Sequence, residues 1–122
     1  MFHDAPAADL SDLTELVTRA AAESPDRLAV VEPGGRGRTW SALDQEVSEV
    51  ACGLVAAGVR AGQRVLLALG NRLEFVTVYL GVLRAQAVAV PVNPGSAVGE
   101  LARMMADSGA RVVVADAATA DA

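Results

Sequence analysis

A chain of 122 residues that is 52% apolar has the size and composition of one compact unit, which excludes intrinsic disorder. Its 10 basic and 15 acidic residues give a net charge of −5 with no basic stripe, so nucleic acid is not an expected partner. All ten basic residues are arginine, and the absence of lysine removes a phosphate-loop Lys, a Schiff-base Lys and a Lys general base together.

In chain order, residues 1–10 read as a flexible tail. A helix is predicted to start near Ser11, capped by its hydroxyl, with Leu13, Leu16, Val17 and Ala20 as its apolar stripe and Ser24-Pro25-Asp26 as its stop. Residues 28–31 read as a strand, Pro33-Gly34-Gly35 as a turn, and 36–40 as the returning strand of a hairpin. A second helix is expected over 41–57, with Ser41 and Asp44 as a capping pair, Gly58 as its C-cap and Leu43, Val47, Val50 and Leu54 facing the core. The remainder alternates short β-branched runs with longer apolar ones: strand 65–69, helix 73–83, strand 87–90, a helix from Ala97 onward and strand 111–115. Asn71 with Glu74 is the expected cap of the 73–83 helix, and Val98, Leu101, Ala102 and Met105 form the stripe of the last helix, with Met104 as flanking core. Residues 116–122 read as a second flexible tail.

The expected fold class is therefore α/β, a parallel β-α-β-α-β sheet unit preceded by a helix, a short hairpin and a helix. On a helical wheel, residues 73–83 are apolar around most of the circumference, leaving a wedge with Glu74, Thr77, Gly81 and, one residue on, Arg84. Such a helix needs cover on more than one side, and a parallel sheet needs cover on both faces. The unit is thus expected to be an incomplete part of a larger domain, or to self-associate through exposed apolar surface.

The residues name no catalytic, cofactor-binding or metal-binding side chain. His3, in the N-terminal tail, and Cys52 cannot together complete a metal site, and a single cysteine excludes an internal disulfide. Cys52 falls opposite the core stripe of its helix, facing solvent, with no base beside it. The Pro33-Gly34-Gly35 glycines read as turn geometry, and the rigid 91–95 loop as a strand ending. No secretory signal and no apolar span of about 20 residues is present, which points to a cytoplasmic protein with no transmembrane segment.

The order of segments resembles the N-terminal part of the large domain of AMP-forming acyl-CoA synthetases, within the adenylate-forming enzyme family. The matching pieces are Ser24-Pro25-Asp26-Arg27-Leu28-Ala29-Val30, the Thr39-Trp40-Ser41-Ala42-Leu43 segment, Gly58-Val59-Arg60-Ala61-Gly62-Gln63-Arg64-Val65, Gly70-Asn71-Arg72-Leu73-Glu74-Phe75, residues 83–94 ending Val90-Pro91-Val92-Asn93-Pro94, and residues 100–112. Gln86 stands where the family commonly has Gly, and Gly70 and Leu73 stand where prolines are frequent. The resemblance implies that residues 11–115 are the N-terminal α/β subdomain of an enzyme that activates a fatty or other carboxylic acid as an acyl-adenylate and passes it to coenzyme A. ATP, Mg²⁺ and coenzyme A are then the cofactors of the complete parent, and none is held by this chain, because the family's phosphate loop and catalytic lysine fall after its last residue. Its partner is the remainder of the parent, and the chain alone is structural and inactive. The competing expectation is a self-contained noncatalytic α/β interaction module.

Overall fold

A computed structural model of the protein describes residues 11–70, 72–96 and 98–115. The elements are α1 (Ser11–Glu23), β1 (Leu28–Val31), β2 (Gly37–Thr39), α2 (Trp40–Ala56), β3 (Arg64–Ala68), α3 (Leu73–Arg84), β4 (Val88–Pro91), α4 (Val98–Ser108) and β5 (Val112–Ala115). The short strands β1 and β2 pair antiparallel as a hairpin, while β4, β3 and β5 form a separate parallel sheet in that order. Both predicted motifs are thus present. The expectations for residues 1–10 and 116–122, for Asn71 and Ala97, and for the side chains of Ser11 and Val98 lie outside the described residues.

β3 is the centre of the sheet because its run of apolar residues can be covered on both faces. Val65, Leu66, Leu67 and Ala68 are all 1% exposed or less. Burial of each of the larger three is worth about 1.5–3 kcal/mol. Val65 and Leu67 join Leu54 of α2, Val59 just after it, Val82 of α3 and Ala87 in one core cluster, against which Phe75, Val78 and Tyr79 also pack. Leu66 faces the other way, toward Val90 and Met104 of α4. At the β4 edge, Pro91 needs no ladder N–H of its own.

The cover on α3 corrects the sequence reading. Its far side is not bare: Val76 and Leu80 pack against a second cluster of Val17, Leu43 and Val47 contributed by α1 and α2. Nor is the supposed polar wedge an exposed face, since Thr77 and Gly81 are buried. A Cβ built on Gly81 would lie 2.6 Å from the Val50 Cβ and 3.3 Å from the Val47 carbonyl oxygen, so a missing side chain is what lets α2 and α3 approach. Small residues that look neutral on a wheel here mark the tightest helix contact.

Arg84, also read as part of that wedge, is a tie between three helices. Its side chain is only 18% exposed and forms an ion pair with Asp44 at 2.9 Å. It also donates to the Asp44 carbonyl at 3.0 Å and the Ser48 hydroxyl at 2.9 Å on α2, and to the Thr14 carbonyl at 2.9 Å and the Thr18 hydroxyl at 3.0 Å on α1. This polar anchor accompanies a different helical phase in α1 from the one its leucines suggest. Thr14 and Val17 are buried, while Leu13 and Leu16 are 42% and 54% exposed.

The caps explain the remaining differences. Thr39, not Ser41, caps α2: it leaves β2 in an extended conformation and its hydroxyl accepts from the Ala42 amide at 3.2 Å. The core stripe of α2 is as expected at Leu43, Val47 and Leu54, with Ala51 added to it and Val50 half-buried. In α4, Leu101 is buried but Ala102 is exposed. At α3 the N-cap residue is Arg72 without a side-chain capping bond. A carboxylate from the hairpin takes over, Glu32 accepting from the Leu73 amide at 3.0 Å.

Helices α2 and α3 end in the same backbone turn. After α2, the amides of Gly58 and Val59 return to the carbonyls of Val55 and Leu54; after α3, those of Gln86 and Ala87 return to Leu83 and Val82. Both are Schellman turns, which put one residue in the left-handed region. Gly58 sits there at φ 96°, and Gln86 at φ 63° is the only described residue other than glycine with positive φ. Gln86 is the position where the resembled family commonly has glycine, and this turn is the physical reason.

Candidate functional site

In a parallel sheet with reversing crossovers, ligands gather at the carboxyl ends of the strands where the order reverses. Here β3 passes through α3 to β4, and the chain then returns past β3 to β5, so that point lies between β3 and β5. An open crevice is found there. Leu69 and Gly70 after β3 and Val114 and Ala115 of β5 form its floor, and Arg36, Arg72, Glu74 and Val78 form its walls.

Of the charged walls, Arg36 and Glu74 are committed to one another. Arg36 at the hairpin tip donates through Nε to Glu32 at 2.6 Å and through both terminal nitrogens to Glu74 at 2.8 and 3.0 Å, a bidentate fork. Glu32 in turn holds the Leu73 amide. The Arg36 hydrogen bonds and the residue's own backbone amide bring the Glu74 carboxyl down to about 2 from the usual 4.5. Glu32 is also lowered, by its bond from Arg36 and then by that from Leu73, and the charge of Arg72 acts on both carboxylates in the same direction. A carboxylate so depressed is a weak base, and the two arginines and two glutamates balance in charge. The cluster joins the hairpin to α3.

The other residues singled out in the sequence are dispersed. Cys52 is exposed on α2, on the side expected for it. Gly34 and Gly35 take positive φ in the hairpin turn, where a Cβ would meet nothing within 4 Å. The loop after β4 is shaped locally: the Asn93 side chain accepts from the Gly95 amide at 2.8 Å and the Asn93 carbonyl from Ser96 at 3.0 Å. Among the described residues no group of three His, Cys, Asp or Glu side chains is placed to hold a metal ion. No described helix is long and apolar enough to cross a membrane. No sequence pattern marks the Glu32–Arg36–Glu74 cluster, because Arg36 and Glu74 are 38 positions apart.

Residues 17–122 match the family model described as AMP-binding enzyme, and the chain belongs to that family. It is 38% identical over 112 residues to a salicyl-AMP ligase/salicyl-S-ArCP synthetase of Mycobacterium tuberculosis, covering 88% of this chain and 20% of that protein. To the medium-chain fatty-acid–CoA ligase of Escherichia coli it is 37% identical over 94 residues, 77% of this chain and 16% of the relative. Among solved structures, a Mycobacterium tuberculosis fatty acyl CoA synthetase superposes with a TM-score of 0.80 at 30% identity, covering 93% of this chain and 23% of that one. The chain thus spans about a fifth or less of the first curated relatives it matches, and its fold is a fragment of a larger domain.

Proposed function

We propose that the complete protein is an ATP-dependent acid–thiol ligase and that residues 11–115 serve as the N-terminal α/β subdomain of its large domain. In the proposed reaction a carboxylate attacks the α-phosphate of ATP, releasing pyrophosphate and forming an acyl-adenylate. The thiol of coenzyme A then attacks the acyl carbon and AMP leaves. The observation that carries this reading is the family match over residues 17–122 together with the shared fold of a fatty acyl CoA synthetase.

The part played by these 122 residues is structural. Stabilising charge on reacting phosphates calls for Mg²⁺ and arranged cationic side chains. The chain has no lysine, and of its two crevice arginines Arg36 is taken up by Glu32 and Glu74. Its residues do not fit ATP, Mg²⁺ or coenzyme A, which would be held by the rest of the parent. Exposed Leu13, Leu16, Leu28 and Val31 are surface available to that remainder.

ATP–pyrophosphate exchange with a panel of short, long and aromatic carboxylic acids tests both halves. The complete parent should exchange in an acid-dependent manner and form acyl-CoA, and the 122-residue chain should do neither. Exchange by the purified chain would defeat the structural reading. A complete parent inert across the panel would defeat the ligase reading and favour the noncatalytic interaction module.

A further inference from the structure

The β1–β2 hairpin is attached to the body in two different ways. Its base is packed and bonded: Ala29 lies on the α1/α2 cluster, the Trp40 amide donates to the Arg27 carbonyl at 3.0 Å, and Arg38 pairs with Glu46 of α2 at 2.7 Å. Its tip is not packed in this way. Val31 is 58% exposed, Pro33, Gly34 and Gly35 are exposed, and the two glycines have no neighbour where a side chain would be. Under the tip runs a groove in which Val30, Val31, Pro33, Leu73 and Val76 are joined by the charged Glu32 and Arg72.

The links from this tip to α3 are polar: the fork from Arg36 to Glu74 and the Glu32 cap on the Leu73 amide, with the Arg36–Glu32 bond joining the two. Half-exposed ion pairs are weak and are screened by salt, whereas the apolar packing of the base is not. We propose that the hairpin tip is a releasable strap, latched across the carboxyl end of the sheet by Glu32, Arg36 and Glu74. Opening it frees the α3 N-terminus, uncovers the groove beneath and removes one wall of the β3/β5 crevice in a single motion, while the hairpin base and the sheet stay folded.

Native-state amide hydrogen exchange on the 122-residue chain reads the latch. The Leu73 amide reports it, because its acceptor is the Glu32 side chain, and the Leu66 and Leu67 amides of β3 report the body. Arg36→Gln and Glu74→Gln both leave Glu32 in place. Each should nevertheless speed exchange at Leu73 on the order of 10-fold relative to β3, and raising NaCl to about 1 M should do the same in the unsubstituted chain. Unchanged exchange at Leu73 in both variants would show that Glu32 caps α3 without a latch. Equal acceleration at Leu73 and in β3 would show that the cluster contributes only to global stability. Either result overturns the proposal.

Discussion

Replacing Gln86 by glycine should stabilise the protein, because the turn after α3 imposes on a side-chain-bearing residue a backbone conformation that glycine adopts freely. At φ 63° the Gln86 Cβ crowds its own backbone, which costs about 1–2 kcal/mol for an L-residue. Glycine gives back about 0.4–1 kcal/mol through the greater freedom of its unfolded chain. The side chain is exposed, and the bonds of the turn are made by backbone atoms, including the Gln86 carbonyl that accepts from the Gly62 amide at 2.9 Å. Little else is therefore lost, and the net gain is about 0.5–1 kcal/mol. In a domain of this size that raises the melting temperature by roughly 2–4 °C. Urea unfolding at constant m measures it, with two controls. Gln86→Ala keeps the strain and should gain nothing; Gly58→Ala introduces the same strain at the matching turn and should cost about as much as Gln86→Gly gains. The Cβ at Gly58 would sit 2.9 Å from the Arg111 Nη2, the end of a flexible side chain that can swing aside. A midpoint for Gln86→Gly at or below that of the unsubstituted chain would refute the reasoning.

Arg84→Ala should destabilise by about 2–3 kcal/mol in the same assay, because it strips a mostly buried guanidinium from its acceptors on two helices; Arg84→Lys should recover only part, lacking the fork. Gly81→Ala improves helix propensity by about 1 kcal/mol yet places a methyl against Val50, and since overpacking of this kind costs about 1–3 kcal/mol, the substitution should lower stability on balance. Glu74 has its carboxyl pKa depressed to about 2, so its contribution is present above about pH 4.5 and is lost as pH falls toward about 2, and the lowered Glu32 carboxyl acts in the same direction. The stability difference between the unsubstituted chain and Glu74→Gln should accordingly close over that window, and a gap that persisted at its acid end would contradict the assignment. Native thiol titration should label Cys52 without unfolding, and failure to label would mean that its face of α2 is covered.

What was legible in the sequence follows from how local each signal is. The β3 run 65–68 stands out because a strand buried on both faces is apolar at every position, and the hairpin shows itself through its double glycine. The order β-α-β-α-β then leaves a parallel sheet as the natural arrangement. The phase of α1 and the packing side of α3 were not legible. Arg84 reads as a solvated charge until its acceptors, 36 to 70 positions away, are in place, and Thr77 and Gly81 read as the gap in an apolar surface until α2 fills it. The same distance in sequence hides the Glu32–Arg36–Glu74 cluster.

The residues that carry the family resemblance have structural work wherever the fold shows what they do. Thr39 caps α2, Trp40 packs on the α1/α2 cluster, Leu43 is 2% exposed within it, and Gly58 makes the left-handed turn into β3. Gln86 departs from the family pattern at a place where the cost is a fraction of a typical domain's stability of about 5–15 kcal/mol, so the turn survives the substitution. Similarity built from caps, turns and core positions reports a scaffold and not a reaction, because sites grafted on a fold carry the chemistry. On the proposed reading the activity belongs to the complete protein, where residues beyond this scaffold can be tested against the acid and the thiol they are proposed to join.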